Sequence, residues 1–212
     1  MARLTAGTFF TDEEKARIEA TVRQVEKKTR GEIVPMVVDQ SYDYPRAEIV
    51  GAGFFALALA ITLSWGFGHS SIWGFLPIFL LAYLPFKVII RQLPALKRGL
   101  ISPAEIMEEV EERALVAFIE KGLHQTREGT GILILLSLFE RRVYVLADHG
   151  INHAAPKQSW DRVVEMVTEG IRQQRACEAL CEAIAFCGDL LAENFPPRHD
   201  DTDELTNLII DR

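Results

Sequence analysis

The chain has 212 residues, with 23 Lys and Arg against 30 Asp and Glu, a formal net charge of −7. That acidic balance leaves no basic stripe to neutralise phosphates, which argues against a nucleic-acid partner. Three cysteines, an odd number, do not make a disulfide framework and fit a reducing compartment.

Residues 1–7 carry no apolar run of the signal-peptide kind, so the N-terminus is expected in the cytoplasm. Thr11 followed by Glu14 is a capping box, and Ile18, Val22 and Val25 line one face of the helix it opens. That helix should stop near Arg30-Gly31. Glu32 to Val38 then reads as a strand, which Pro35 confines to a sheet edge or an irregular position because proline has no N–H to donate.

The composition changes sharply after residue 48. Ile49 to Phe86 is a run of 38 residues without one charged side chain, and only Lys87 carries charge between 49 and 90. Ile49–Phe67 and Ile72–Ile90 are 19 residues each, about 28 Å as helices, close to the hydrocarbon thickness of a bilayer. Gly68, His69, Ser70 and Ser71 make a tight connection, with Trp65, Trp73 and the deeper Tyr83 as interfacial aromatics. Pro77 and Pro85 should kink the second span.

Arg46 before the spans and Lys87, Arg91, Lys97 and Arg98 after them, with no cation in the connection, put both flanks on the cytoplasmic side. The expectation is a two-pass inner-membrane protein with its soluble domain and both termini cytoplasmic. A buried hairpin in a large soluble core, or a re-entrant loop, is the alternative. Gly51, Gly53, Ala56, Ala58 and Ala60 give a small-residue surface for a membrane-protein partner or a second copy, through 49–67. The spans hold no other ionisable group than Lys87 and His69 beside them, so an ion path is not expected.

Ser102-Pro103-Ala104-Glu105 starts another helix, with Ile106, Val110, Ala114, Ala117 and Phe118 on its apolar face up to Gly122. Gly131–Ser137 is a near-continuous apolar run, typical of a strand buried on both faces. Leu138 to Arg141 is a turn and Arg142 to Asp148 the returning strand, together a β-hairpin. Helices follow over Pro156 to about Gln173 and Ala176 to about Asn194, and Pro196-Pro197 ends the second. Residues 198–212 read as an acidic tail.

Residues 9–45 hold too little for a core of their own and should join 100–197 in one discontinuous domain, with 49–90 as a transmembrane helical hairpin. The fold class expected is an α/β (α+β) sandwich: a small mixed sheet with helices on both faces, interrupted by that hairpin.

Several segments resemble a known family. Phe10-Thr11-Asp12-Glu13-Glu14, Thr29-Arg30-Gly31-Glu32-Ile33-Val34, Gly131-Ile132-Leu133-Ile134-Leu135, Glu140-Arg141-Arg142-Val143-Tyr144-Val145 and Asp148-His149-Gly150-Ile151 are similar to the TPM domain family. The inserted hairpin, Trp160 and Asn194-Phe195-Pro196 resemble a bacterial membrane-protein branch of it. The resemblance implies a small α/β sandwich. It also implies either accessory work on membrane complexes or, as credited to plant members, acid phosphatase activity and calcium binding. Two places differ from the common pattern: Glu128-Gly129-Thr130-Gly131 stands where many members have Asp-Asn-Gly, and Asp148-His149-Gly150 where they have Gly-Tyr-Gly.

Asp148-His149-Gly150-Ile151-Asn152-His153 is the most polar cluster at a strand end. Asp148 is a candidate catalytic residue and cation ligand, with His149 or His153 as second ligand or general acid; a capped turn with solvated histidines is the plainer reading. Glu32 and Asp39 flank the first strand and converge with Asp148 if the strands are adjacent and parallel; with Glu128 they would suit a hard cation, calcium or magnesium. Ordinary surface carboxylates give the same pattern.

Arg141 and Arg142 in the hairpin turn suit a phosphate or anionic headgroup, or else form a charged turn paired with Glu140. Cys177, Cys181 and Cys187 lack zinc-ligand spacing and read as buried thiols. His199, Asp200, Asp201 and Asp203 read as a solvated acidic run. No nucleotide-binding, serine-hydrolase or zinc-hydrolase motif occurs. The function expected is a membrane-anchored accessory or binding domain for a membrane protein complex; the alternative is a divalent-metal-dependent phosphatase acting around Asp148.

Overall fold

Thr11 opens the first long helix as the spacing predicts. Its hydroxyl accepts the Glu14 N–H at 3.2 Å, and the Glu14 carboxylate accepts the Thr11 N–H at 2.8 Å. This reciprocal cap satisfies two of the amides that every helix start leaves open. The computed structural model describes residues 5–66, 72–126, 129–154, 158–197 and 205–211.

In chain order the elements are α1 (Ala6–Phe9), α2 (Asp12–Glu26), β1 (Glu32–Val38), α3 (Pro45–Gly66), α4 (Ile72–Gln92), α5 (Pro94–Gly99) and α6 (Pro103–Glu120). After these come β2 (Gly131–Ser137), β3 (Arg142–Ala147), α7 (His149–Ala154), α8 (Gln158–Arg172), α9 (Ala176–Asn194) and β4 (Ile209–Asp211). The chain divides into two compact units, Met1–Ser41 with Glu108–Arg212, and Tyr42–Met107.

The first unit is built on a four-stranded sheet in the order β3-β2-β1-β4. β1 runs parallel to β2 and to β4, while β2 and β3 form the antiparallel hairpin. All seven positions of β1 and of β2 are buried, because each face of the sheet has its own helix layer. Ile33, Val37, Ile132, Ile134 and Leu136 pack with Ile18 and Val22 of α2, Val163 and Val167 of α8, and Leu180 and Ile184 of α9. Val34, Met36, Val38, Leu133 and Leu135 pack with Val110, Ala114, Ala117 and Phe118 of α6. The unbroken apolar runs of both strands follow from this two-sided burial. The fold is a mixed-sheet α/β sandwich.

Small residues bring α9 close to its neighbours. A Cβ on Gly188 would lie 2.1 Å from Val25 Cγ1, and one on Gly170 would lie 2.0 Å from Ala179 Cβ. Both glycines are therefore contact points between helices.

Two expectations about the sheet are corrected. β1 is an interior strand, although it contains Pro35. The Glu32 N–H bonds Thr130 O, and the Ile33 N–H bonds the Glu26 carboxylate. Alternation then aims position 35 away from β2, at the β4 side, where pairing begins only at Met36. The second correction concerns the stretch read as an acidic tail: Ile209–Asp211 is a strand beside β1. Its three residues are too few to show a period. The same brevity hides α1, α5 and α7.

The second unit holds α3, α4 and α5. Phe55 stacks on Phe86 with centroids 5.7 Å apart, and Gly51 lies against Ile90, so α3 and α4 run antiparallel. Both helices are long and apolar enough to cross a membrane; 22% of the most apolar stretch of α3 is buried, and none of that of α4. Phe54, Ile61, Trp65, Ile72, Trp73, Leu81 and Leu84 are all exposed. At the open end of the pair, Lys97 of α5 is buried, and its ammonium donates to Glu48 Oε1 at 2.7 Å and to Asp43 O at 2.6 Å. The connection with Gly68, His69, Ser70 and Ser71 lies outside the described residues.

Candidate functional site

Strand direction decides which candidate residues meet. The parallel strands β1 and β2 begin at one end of the sheet, and β3, running the other way, finishes there. Glu32 therefore stands at the same end as Asp148. Gly131 lies between them: it is in register with Glu32, and its carbonyl accepts the Asp148 N–H at 2.9 Å. Two strand spacings separate the β1 and β3 positions, about 10 Å.

Asp39 follows the last residue of β1, at the opposite end, and accepts the Ala6 N–H. The convergence of Asp39 with Asp148 does not occur, because β2 separates β1 from β3 and the two do not end on the same side. Among the described residues no three His, Cys, Asp or Glu side chains gather to hold a metal ion. Asp148, Glu32 and Asp39 thus do not form a calcium or magnesium cradle. Glu128 lies outside the described residues, as does the side chain of His153.

The Asp148–His149 pair has a defined geometry. Asp148 Oδ1 receives the His149 backbone N–H at 2.6 Å and lies 2.8 Å from Nδ1. The carboxylate is largely covered, 12% exposed, while the imidazole is 78% exposed. A proton on Nδ1 held by that carboxylate leaves Nε2 as the outward acceptor. The pair packs on Gly129, whose φ of +65° and missing Cβ make room; a Cβ there would lie 2.5 Å from His149 Cε1. Asn152 fixes the following turn by donating to Ala147 O at 2.7 Å and accepting the Trp160 indole N–H at 3.1 Å. Gly129, Asn152 and Trp160 carry the positioning that a search for ionisable residues passes over.

Arg141 and Arg142 lie in and after the β2–β3 turn, at the Asp39 end, and both are exposed. Arg141 has φ +55°, a left-handed turn residue. Glu140 beside them is turned inward rather than left in solvent. It accepts the Ser41 N–H at 2.9 Å and the Ser137 hydroxyl, and Ser41 Oγ lies 3.0 Å from Ser137 Oγ. This buried carboxylate ties the turn to the end of β1. The arginines and the Asp148 pair are therefore two separate places, one at each end of the sheet.

The cysteines form no metal centre. Burial, reinforced by Cys181, pushes the Cys177 thiol up to about 11, and burial alone pushes Cys187 up to about 12. Such thiols stay protonated and unreactive at neutral pH. Tyr144 is also raised, by burial first and then by the Glu111 carboxylate. His199, Asp200, Asp201 and Asp203 lie outside the described residues.

With this geometry in place, the comparisons are informative. The family model of the TPM domain matches residues 100–189. Those residues are similar to TPM domains. The TPM match takes in Arg141, Arg142, Asp148 and His149 and leaves Glu32 and Asp39 outside it. Among solved structures, the NMR structure of BA42 protein from the psychrophilic bacterium Bizionia argentinensis is similar in fold. Its TM-score is 0.58, with 21% identity over 96% of each chain. A search of curated protein sequences gives no match.

Proposed function

We propose that this protein is a membrane-anchored binding module, whose TPM domain assists the assembly, repair or regulation of a membrane protein complex. The observation carrying this reading is the exposed apolar surface of α3 and α4, with Leu81 at 77% and Trp73 at 82% exposure. Apolar surface of this extent belongs against lipid or another membrane protein rather than water. The positive flanks of the spans support a cytoplasmic side of the inner membrane for the TPM domain and both termini. Residues 49–67 supply a partner-facing or self-associating surface through their exposed side, Ala58 included, since Gly51, Ala56 and Ala60 are buried.

The test is extraction of membranes from cells making the full-length protein. At alkaline pH in carbonate it stays with the bilayer; release into the soluble fraction sinks the anchor. Exchange of residues 49–90 for an unrelated two-pass anchor should cost function, and retained function would remove the partner role of the spans.

The alternative reading, a phosphatase acting at Asp148, draws on the carboxylate–imidazole pair with Nε2 outward. It lacks an adjoining cation cradle among the described residues. Phosphate release that disappears in Asp148→Asn would favour it; release that survives assigns the pair to structure.

A further inference from the structure

We infer that the base of the α3–α4 pair, at Arg46, Lys87 and Arg91, is a binding surface for anionic phospholipid headgroups. The inference rests on the proposed membrane insertion and goes further, since it names the lipid class.

Charge is divided unevenly along the chain. Residues 42–107 hold five cations (Arg46, Lys87, Arg91, Lys97 and Arg98) and three carboxylates (Asp43, Glu48 and Glu105), a net of +2. Since the whole chain is −7, the remainder carries −9. The one unit with bilayer-length helices is thus the one with a positive balance.

Depth along the helices is set by packing. Gly51 and Ile90 lie side by side, a Cβ on Gly51 being 2.9 Å from Ile90 Cδ1. At 1.5 Å per residue, Arg91 lies about 2 Å below that level and Arg46 about 8 Å below it, with Lys87 about 5 Å above. The three Cα positions span about 13 Å along the helices, and a lysine stem can carry the Lys87 ammonium part of the way toward the other two charges. Arg46 and Arg91 are exposed and Lys87 is partly so.

The carboxylate at this depth is already neutralised. Glu48, one turn below Gly51, is engaged by the buried Lys97 ammonium at 2.7 Å. The pair cancels internally, and Arg46, Lys87 and Arg91 keep their charge for the surface. Apolar Ile49, Val50, Val88 and Ile89, all exposed, lie between the level of Arg46 and that of Lys87. An acyl chain beside these residues and a phosphate at the cations satisfy both parts of the surface at once. A zwitterionic lipid brings its own ammonium beside these cations and gains less.

The experiment uses full-length protein reconstituted into vesicles of phosphatidylcholine, and of phosphatidylcholine mixed with phosphatidylglycerol. Retained lipid is counted by native mass spectrometry after gentle extraction. Phosphatidylglycerol should be retained over phosphatidylcholine, with a selectivity that falls at high salt and drops about fivefold for each of Arg46→Gln, Lys87→Gln and Arg91→Gln. Arg46→Lys and Arg91→Lys should keep it, which separates charge from misfolding. Equal retention of the two lipids, selectivity untouched in the triple glutamine variant, or selectivity abolished by inorganic phosphate would each overturn the headgroup surface. Failure to enter vesicles of phosphatidylcholine alone is a different result, and removes the membrane anchor itself.

Discussion

The imidazole of His149 rests on bare backbone at Gly129, and that contact makes the glycine a test of the site. Gly129→Ala places a methyl 2.5 Å from His149 Cε1 at a φ of +65°. The left-handed conformation alone costs an ordinary residue about 1–2 kcal/mol. The variant should lose about that much stability in urea titration, and the His149 ring nitrogens should shift in NMR spectra as the Asp148 bond opens. An alanine variant as stable as the parent, with unmoved ring resonances, would mean that the pair does not depend on this contact. The buried thiols make a second prediction at this scale. Cys177 and Cys187 are raised to about 11 and about 12 in the folded chain, above an unfolded thiol near 8.5. The unfolded chain therefore releases these protons first. The stability they hold is complete below pH of about 8.5 and drains away as pH rises toward the folded values. Native protein at pH 8 should resist iodoacetamide, and replacing both thiols by alanine should flatten the alkaline loss of stability.

Among the elements, the β2–β3 turn shows how a charged residue becomes structural. Glu140 accepts from Ser41, 99 residues away in sequence, and from Ser137. Glu140→Ala leaves a buried N–H and hydroxyl to find water and should cost about 2–3 kcal/mol; Glu140→Gln keeps an acceptor and should cost less. The comparison is read from the midpoints of urea unfolding at constant m. In sequence this carboxylate looks like a turn residue beside two arginines, because nothing local announces Ser41. The strands were legible for the opposite reason: β1 and β2 are apolar at nearly every position, and their bounds follow from composition alone. β4 was not, since Ile209–Asp211 owes its state to pairing with β1. Asp148 and His149 are neighbours in sequence and were legible as a pair. Their separation from Asp39 depends on β3 running against β2, which turns a list of strand-end carboxylates into two distant groups.

For the whole molecule the question is what each unit needs from the other. Both apolar clusters of the sheet are assembled from residues before 42 and after 107: α2, α8 and α9 against one face, and α6 from Val110 onward against the other. Among the described residues, none of Tyr42–Met107 belongs to either cluster. That segment contributes the two helices whose apolar side chains stand exposed. Replacing residues 42–107 by a flexible glycine-serine linker should therefore yield a water-soluble protein that keeps its mixed helix and strand content. The remainder carries −9, which opposes self-association. Circular dichroism, with size-exclusion chromatography in the absence of detergent, checks both points. A soluble monomer with a cooperative urea transition is the expected result, since every residue of the two apolar clusters is retained. Aggregation with lost secondary structure would mean that the helical pair is part of the folding unit. The sheet domain would then be a fold completed by the apolar helical pair rather than one interrupted by it.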